Sequence, residues 1–174
     1  LNGTAIEDDV TELGFWLYPE GYVPEYEQRL HRWNLEGDLL IPPHETVMTQ
    51  GFHTFDHPIR IDSYQPHGHL RLRGASIEVL YPETGQREVV SMVSNWSTWW
   101  AHSHIYEEDS APLIPAGAVV ILTHWYDNTE NNPYNPAPDQ WVYPGSRTND
   151  EMSHDWLGVS HLSEEQYEEL IARR

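Results

Sequence analysis

The chain contains no cysteine. Disulfides, thiolate zinc sites, iron–sulfur clusters and covalent c-type haem are excluded with it. Basic residues are scarce: nine Lys and Arg stand against 28 Asp and Glu, a formal charge of −19. So acidic a surface repels nucleic acid and anionic headgroups, and no nucleic-acid partner is expected. Long apolar runs are missing as well. A membrane-spanning helix needs about 20 consecutive apolar residues, whereas the longest run here, AGAVVILT at 116–123, has the length of a strand. No membrane insertion is expected. The opening residues carry none of the features of a secretory leader, and LNGTAIEDDV at 1–10 reads as a cut into a longer chain.

What remains is the composition of a globular domain. Of 174 residues, 39% are hydrophobic, with eight Trp and ten Tyr, enough for one domain over 1–174 with a real core. Short apolar or alternating runs fall at 10–18, 35–41, 46–55, 59–65, 75–80, 87–93, 118–125 and 156–162. Pro- and Gly-rich turn signals separate them, and 81–86 reads as a hairpin turn. The pattern predicts an all-β fold, an antiparallel jelly-roll β-sandwich. It ends in a short C-terminal helix, where Ser163 and Gln166 form a capping box and Arg173 and Arg174 close the last turn. The Asn- and Pro-dense stretch 127–147 is expected to be a long ordered loop. Its Asp127, Asn128, Asn131, Asn132 and Asn135 are expected to bond their own backbone in Asx-turns.

Eleven histidines are the chemical resource of this chain. Two pairs have His-x-His spacing, His67-Gly68-His69 and His102-Ser103-His104. On a strand, residues i and i+2 share a face, so two imidazoles can converge on one ion. Imidazole suits copper, zinc, iron and nickel alike. A strand leads into the first pair, and a strand end is a rigid mount for ligands. The second pair sits among polar residues and reads as a surface loop. Met152, flanked by Asp150 and Glu151, is either an inward-packed side chain or a thioether ligand. Thioether sulfur is soft and selects Cu(I), so two His with a Met favour a redox-cycling copper over zinc. Trp96, Trp99 and Trp100 are expected to pack the sandwich or an interface. His31, His44, His53, His57 and His161 show no partner pattern.

The order PHGHLRLRG at 66–74, YDNTENNPYNP at 126–136 and RTNDEM at 147–152 resembles the C-terminal domain of the copper type II, ascorbate-dependent monooxygenases. Their bacterial relatives are the nearer likeness, and LNGTAIEDDVTELGFWLYPEG at 1–21 is similar to the junction between their two copper domains. The resemblance implies a jelly roll holding one copper through His67, His69 and Met152. It implies O2 activation there for C–H hydroxylation of a small-molecule substrate, and ascorbate or another reductant as electron donor. It also implies a preceding copper domain or electron-donor protein as partner, and a periplasmic or extracellular location. His124, one residue before Trp125-Tyr126-Asp127-Asn128, and His154, two after Met152, are further candidate metal ligands. LRLRG has one residue more than the family's turn after the second His. A second reading is therefore a structural or interaction module that keeps the fold without the copper chemistry. A zinc or nickel hydrolase is a third; no Glu stands beside His67 or His69 in sequence as its general base.

Overall fold

A computed structural model of the chain describes residues 10–34 and 39–174. Its strands are β1 (Glu27–Asn34), β2 (Thr46–Thr54), β3 (Ile59–His67), β4 (Leu72–Tyr81), β5 (Gln86–Val93), β6 (His104–Ile105), β7 (Leu113–Ile114), β8 (Val119–Asp127) and β9 (His154–His161). A 3-10 turn spans Thr98–Trp100, and the helix α1 covers Glu164–Ala172. One sheet runs β1-β9-β3-β6, with β7 also on β3; the other runs β2-β8-β4-β5. Neighbouring strands in both are antiparallel. The first strand lies beside the last, and the second beside the penultimate long one. That nesting is the jelly-roll arrangement, so the expected fold class holds.

The core forms where the two sheets face each other. Ile59, Ile61 and Tyr64 of β3, with Leu157 and Val159 of β9, meet Ala75, Ile77 and Val79 of β4 and Val120 and Leu122 of β8. Each is buried, and every Ile, Leu and Val side chain among them contributes about 1.5–3 kcal/mol over its exposed state. A smaller cluster of Leu39, Ile41, Leu72, Trp96, Tyr126 and Val142 closes one end of the sandwich. It packs the long loop against the strands. The capping box of α1 forms as expected: the Ser163 hydroxyl accepts from Gln166 N, and the Gln166 side chain accepts from Ser163 N.

Two expectations need correction, and one strand was not foreseen. The run 10–18 is apolar but forms no strand; Phe15 is 78% exposed and Trp16 94%. Among the described residues it has no neighbour to share a ladder, and alternation without a partner makes no sheet. Of 35–41, residues 35–38 lie outside the described residues, and Ile41 makes only an isolated bridge to Val142. Conversely, β1 escapes sequence reading. Trp33 is buried and His31 half-buried, while Arg29 on the same alternate set is exposed. A strand with two polar residues at those positions shows no apolar alternation.

Candidate metal centre

β3 and β9 bring the first His-x-His pair to the end of a sheet. His67, the last residue of β3, lies directly opposite His154, the first of β9. Their rings stack with centroids 4.5 Å apart, and the His69 ring stands edge-on to His67 at 5.7 Å. His69 is not on the strand: the β3–β9 ladder ends at His67, and the chain then turns. A side chain replaces the missing ladder partner. The Glu151 carboxylate, fully buried, accepts hydrogen bonds from the backbone N–H of His69, of Arg71 at 2.9 Å and of Met152 at 3.0 Å. One carboxylate thus ties the turn 67–71 to the Asp150–Met152 segment.

Further contacts fix the same joint. The Arg71 guanidinium donates to Asn149 O at 2.8 Å. His69 Nδ1 is 3.0 Å from Asp150 O. A carbonyl only accepts, so Nδ1 carries the proton and Nε2 keeps its lone pair. Gly68 is required by close approach, since a Cβ there would sit 2.7 and 2.8 Å from Leu72 side-chain carbons. Asp150 is held by Arg147 at 2.8–2.9 Å, which keeps its carboxyl below the usual range.

Beneath the turn lies a buried polar row. His124 Nε2 is 2.8 Å from Asp155 Oδ1, and His124 Nδ1 is 3.0 Å from the Tyr126 hydroxyl. That hydroxyl donates to Met152 O at 2.8 Å, and Asp155 Oδ1 also accepts from His67 N at 3.3 Å. Both ring nitrogens of His124 are therefore engaged by protein groups, and the ring is fully buried. Its place is under the site. Met152 and His154 line a cleft of about 350 Å³ with Arg32, Asn34, Leu39 and Ser146.

Burial and neighbouring positive charge disfavour the charged forms of His67 and His154. Burial, then the neighbouring His69, lowers the His67 pKa. His154 is lowered to about 4, by burial first and then by His67 and Arg32. Burial raises the Glu151 carboxyl, opposed by the three N–H groups it accepts from. The unfolded chain takes up the His154 proton near its ordinary value of 6.5, whereas the folded state resists it down to about 4. Stability is therefore expected to fall as pH drops through that window in chelator-treated protein. Proton NMR should place the His154 titration near pH 4, and a midpoint near 6.5 would remove this contribution.

The remaining candidates divide. His102 and His104 are exposed, the first just before β6 and the second on it. Trp96 packs in the core, its indole N–H donating to Pro66 O at 3.2 Å, but Trp99 and Trp100 are exposed. Asp127, Asn132 and Asn135 each accept from a backbone N–H two residues on, as Asx-turns do. Asn128 instead reaches across to Pro42 O and Gln140 O. Glu151, Asp155 and Tyr126 were not legible as site residues. Nothing local marks which of 28 carboxylates is buried.

Among the described residues, no group of three or more His, Cys, Asp or Glu is gathered to hold a metal ion. No family model matches the chain, and no curated protein matches it. Solved structures that align with it include infectious bursal disease virus, Gt strain (11% identity, 83% of this chain and 37% of that one, TM-score 0.29). The VP2 subviral particle of the same virus aligns at 11% identity over 87% of this chain and 39% of that one, with TM-score 0.33. Its T=1 particle gives 11%, 88%, 37% and 0.32. The chain spans less than two-fifths of the length of those chains.

Proposed function

We propose that this chain is a mononuclear copper-binding domain of the ascorbate-dependent monooxygenase type, with His67, His69 and Met152 as the ligand set. The observation that carries the reading is the Glu151 carboxylate, which joins the His67–His69 turn to Met152 by hydrogen bonds to His69 N, Arg71 N and Met152 N. Two motifs far apart in sequence become one joint.

The donor chemistry fits copper. Two imidazoles and a thioether do not constitute a cluster of three His, Cys, Asp or Glu, so the lack of such a cluster does not bear on this set. Metal–nitrogen bonds are about 2 Å, which places each ring centre about 3 Å from a shared ion and two such rings about 5–6 Å apart. The His67 and His69 centroids are 5.7 Å apart. His69 offers Nε2, because its Nδ1–H is spent on Asp150 O. His67 is held as the free base that ligation requires. The thioether makes the reduced ion the better guest.

Bound copper would supply one-electron redox chemistry for activating O2. The residues of the chain do the rest. His154 stacks on the His67 ring and limits its rotation. His124 and Asp155 brace the turn from below through His67 N. Arg32, Asn34 and Met152 border the cleft that would receive a small-molecule substrate. Ascorbate or another reductant as donor, a preceding copper domain or electron-donor protein as partner, and a periplasmic or extracellular setting belong to the same proposal.

Titration of the metal-free protein with Cu(I), against a competing chelator, tests it. About one Cu(I) per chain is expected. His67→Ala and His69→Ala should each abolish binding while circular dichroism stays unchanged. A wild-type chain that takes up no copper would contradict the proposal.

A further inference from the structure

The end of the long loop forms a groove of its own. Isolated bridges at Val142 and Pro144 hold 141–144 as a short extended segment. Val142 is buried in the small cluster that closes the sandwich, while Trp141 is 49% exposed and Tyr143 60%. Residues i and i+2 of an extended chain share a face, about 6.6 Å apart. The indole and the phenol ring therefore project from the same face, away from the cluster.

The turn 146–150 forms the other wall. Between them lies a groove of about 800 Å³, lined by Gln140, Trp141, Tyr143, Thr148, Asn149 and Asp150 among others. The size is that of a small-molecule site, about 300–1,000 Å³. The Arg147 guanidinium donates to both Asp150 carboxylate oxygens, at 2.9 and 2.8 Å, and Arg147 N donates to one of them at 3.2 Å. Asp150 N donates back to Arg147 O at 2.9 Å. Gly145 makes room for this pairing, because a Cβ there would collide with the Asp150 side chain. The wall is thus fixed by its own contacts, and its two charges cancel.

The backbone here offers no edge to a peptide. Val142 exchanges both of its hydrogen bonds with Ile41 at 3.0 Å on one side. On the other, Tyr143 O and Gly145 N are engaged by Glu151, also at 3.0 Å. A peptide strand therefore cannot extend this segment. Nor is there an aliphatic pocket for a peptide side chain: apart from the two rings and buried Val142, every lining residue is polar. The groove meets a ligand with two flat aromatic faces and, around them, amide, hydroxyl and guanidinium–carboxylate groups. A sugar ring has the matching double character. Its C–H face is weakly positive and suits the electron-rich face of indole or phenol. Its rim hydroxyls need both donors and acceptors. The chain's formal charge of −19 disfavours acidic sugars.

We propose that the groove between Trp141–Tyr143 and the turn 146–150 binds an uncharged oligosaccharide. Trp141 and Tyr143 stack on its rings, and two platforms select a chain of sugars over a single one. Gln140, Thr148, Asn149 and the Arg147–Asp150 pair bond its hydroxyls. The groove adjoins the candidate metal centre through Asp150, whose carbonyl oxygen accepts from His69 Nδ1. Saccharide binding itself needs no metal, so it stands or falls separately from the copper reading.

Isothermal titration of the full, metal-free chain with neutral hexasaccharides of glucose, xylose, mannose, galactose and N-acetylglucosamine tests this. At least one should bind with a Kd of about 1 mM or below, and its monosaccharide more weakly. Trp141→Ala and Tyr143→Ala should each weaken that binding about tenfold or more, with circular dichroism unchanged. Trp99→Ala, which removes an exposed indole outside the groove, should leave it as it was. Added salt should not change the affinity, because the ligand carries no charge to screen. Amide NMR of the wild type with the bound sugar should shift residues 140–150, a readout that needs no variant to fold. No binding by any of the sugars, amide shifts confined to other segments, or full affinity in Trp141→Ala would overturn the site. Binding of an extended-peptide library at 140–150, with no sugar bound, would overturn it in favour of a peptide dock.

Discussion

Glu151→Ala should destabilise the domain by about 3–5 kcal/mol and abolish copper binding together. The carboxylate is fully buried and serves three backbone N–H groups. Alanine offers none of them an acceptor, and each buried donor left unpaired costs about 1–3 kcal/mol. Water entering the vacated space recovers part of that. Domains of this size have only about 5–15 kcal/mol in total, so the loss should be plain in urea denaturation. Glu151→Gln should cost less, because an amide oxygen still accepts, but its NH2 faces donors it cannot satisfy. If Glu151→Ala melts like the wild type, the carboxylate is not the joint between the two motifs, and the proposed ligand set loses its structural basis.

Met152→Ile separates fold from chemistry. Met152 is half-buried and outside any strand, and the exchange nearly conserves volume, so stability should change by less than about 1.5 kcal/mol. Cu(I) affinity should fall at least about tenfold, while Cu(II) affinity changes less, because the soft thioether favours the reduced ion. Competition titrations with both oxidation states on the same preparation measure the difference. Equal losses for the two ions would mean that the sulfur is not a ligand and that the substitution acted on packing.

The jelly roll was readable where residues alternate against a partner. β2, β3, β5 and β8 fall within two residues of the boundaries their sequence predicts; β4 begins three residues earlier than expected. The capping box of α1 was legible because it is local. β1 was not, since its alternate positions hold Arg29, His31 and Trp33. The run 10–18 misled in the opposite sense, as apolar character without a neighbouring strand stays exposed. At the site, spacing could place His67 at a strand end, but not His69, which leaves the strand because Glu151 takes over from the ladder. The engagement of His124 with Asp155 and Tyr126 depends on two sheets meeting, and no local pattern announces it. The same holds for the contacts of His161 with His31 and His57, drawn from three separate segments.

The central claim is that two imidazoles and a thioether meet on one copper ion. X-ray absorption at the copper edge of the reduced, copper-loaded protein tests it most directly. A first coordination sphere with one sulfur and two imidazole nitrogens is the predicted result, with the sulfur absent in Met152→Ile. Nitrogen and oxygen scatterers alone in the wild type would contradict it.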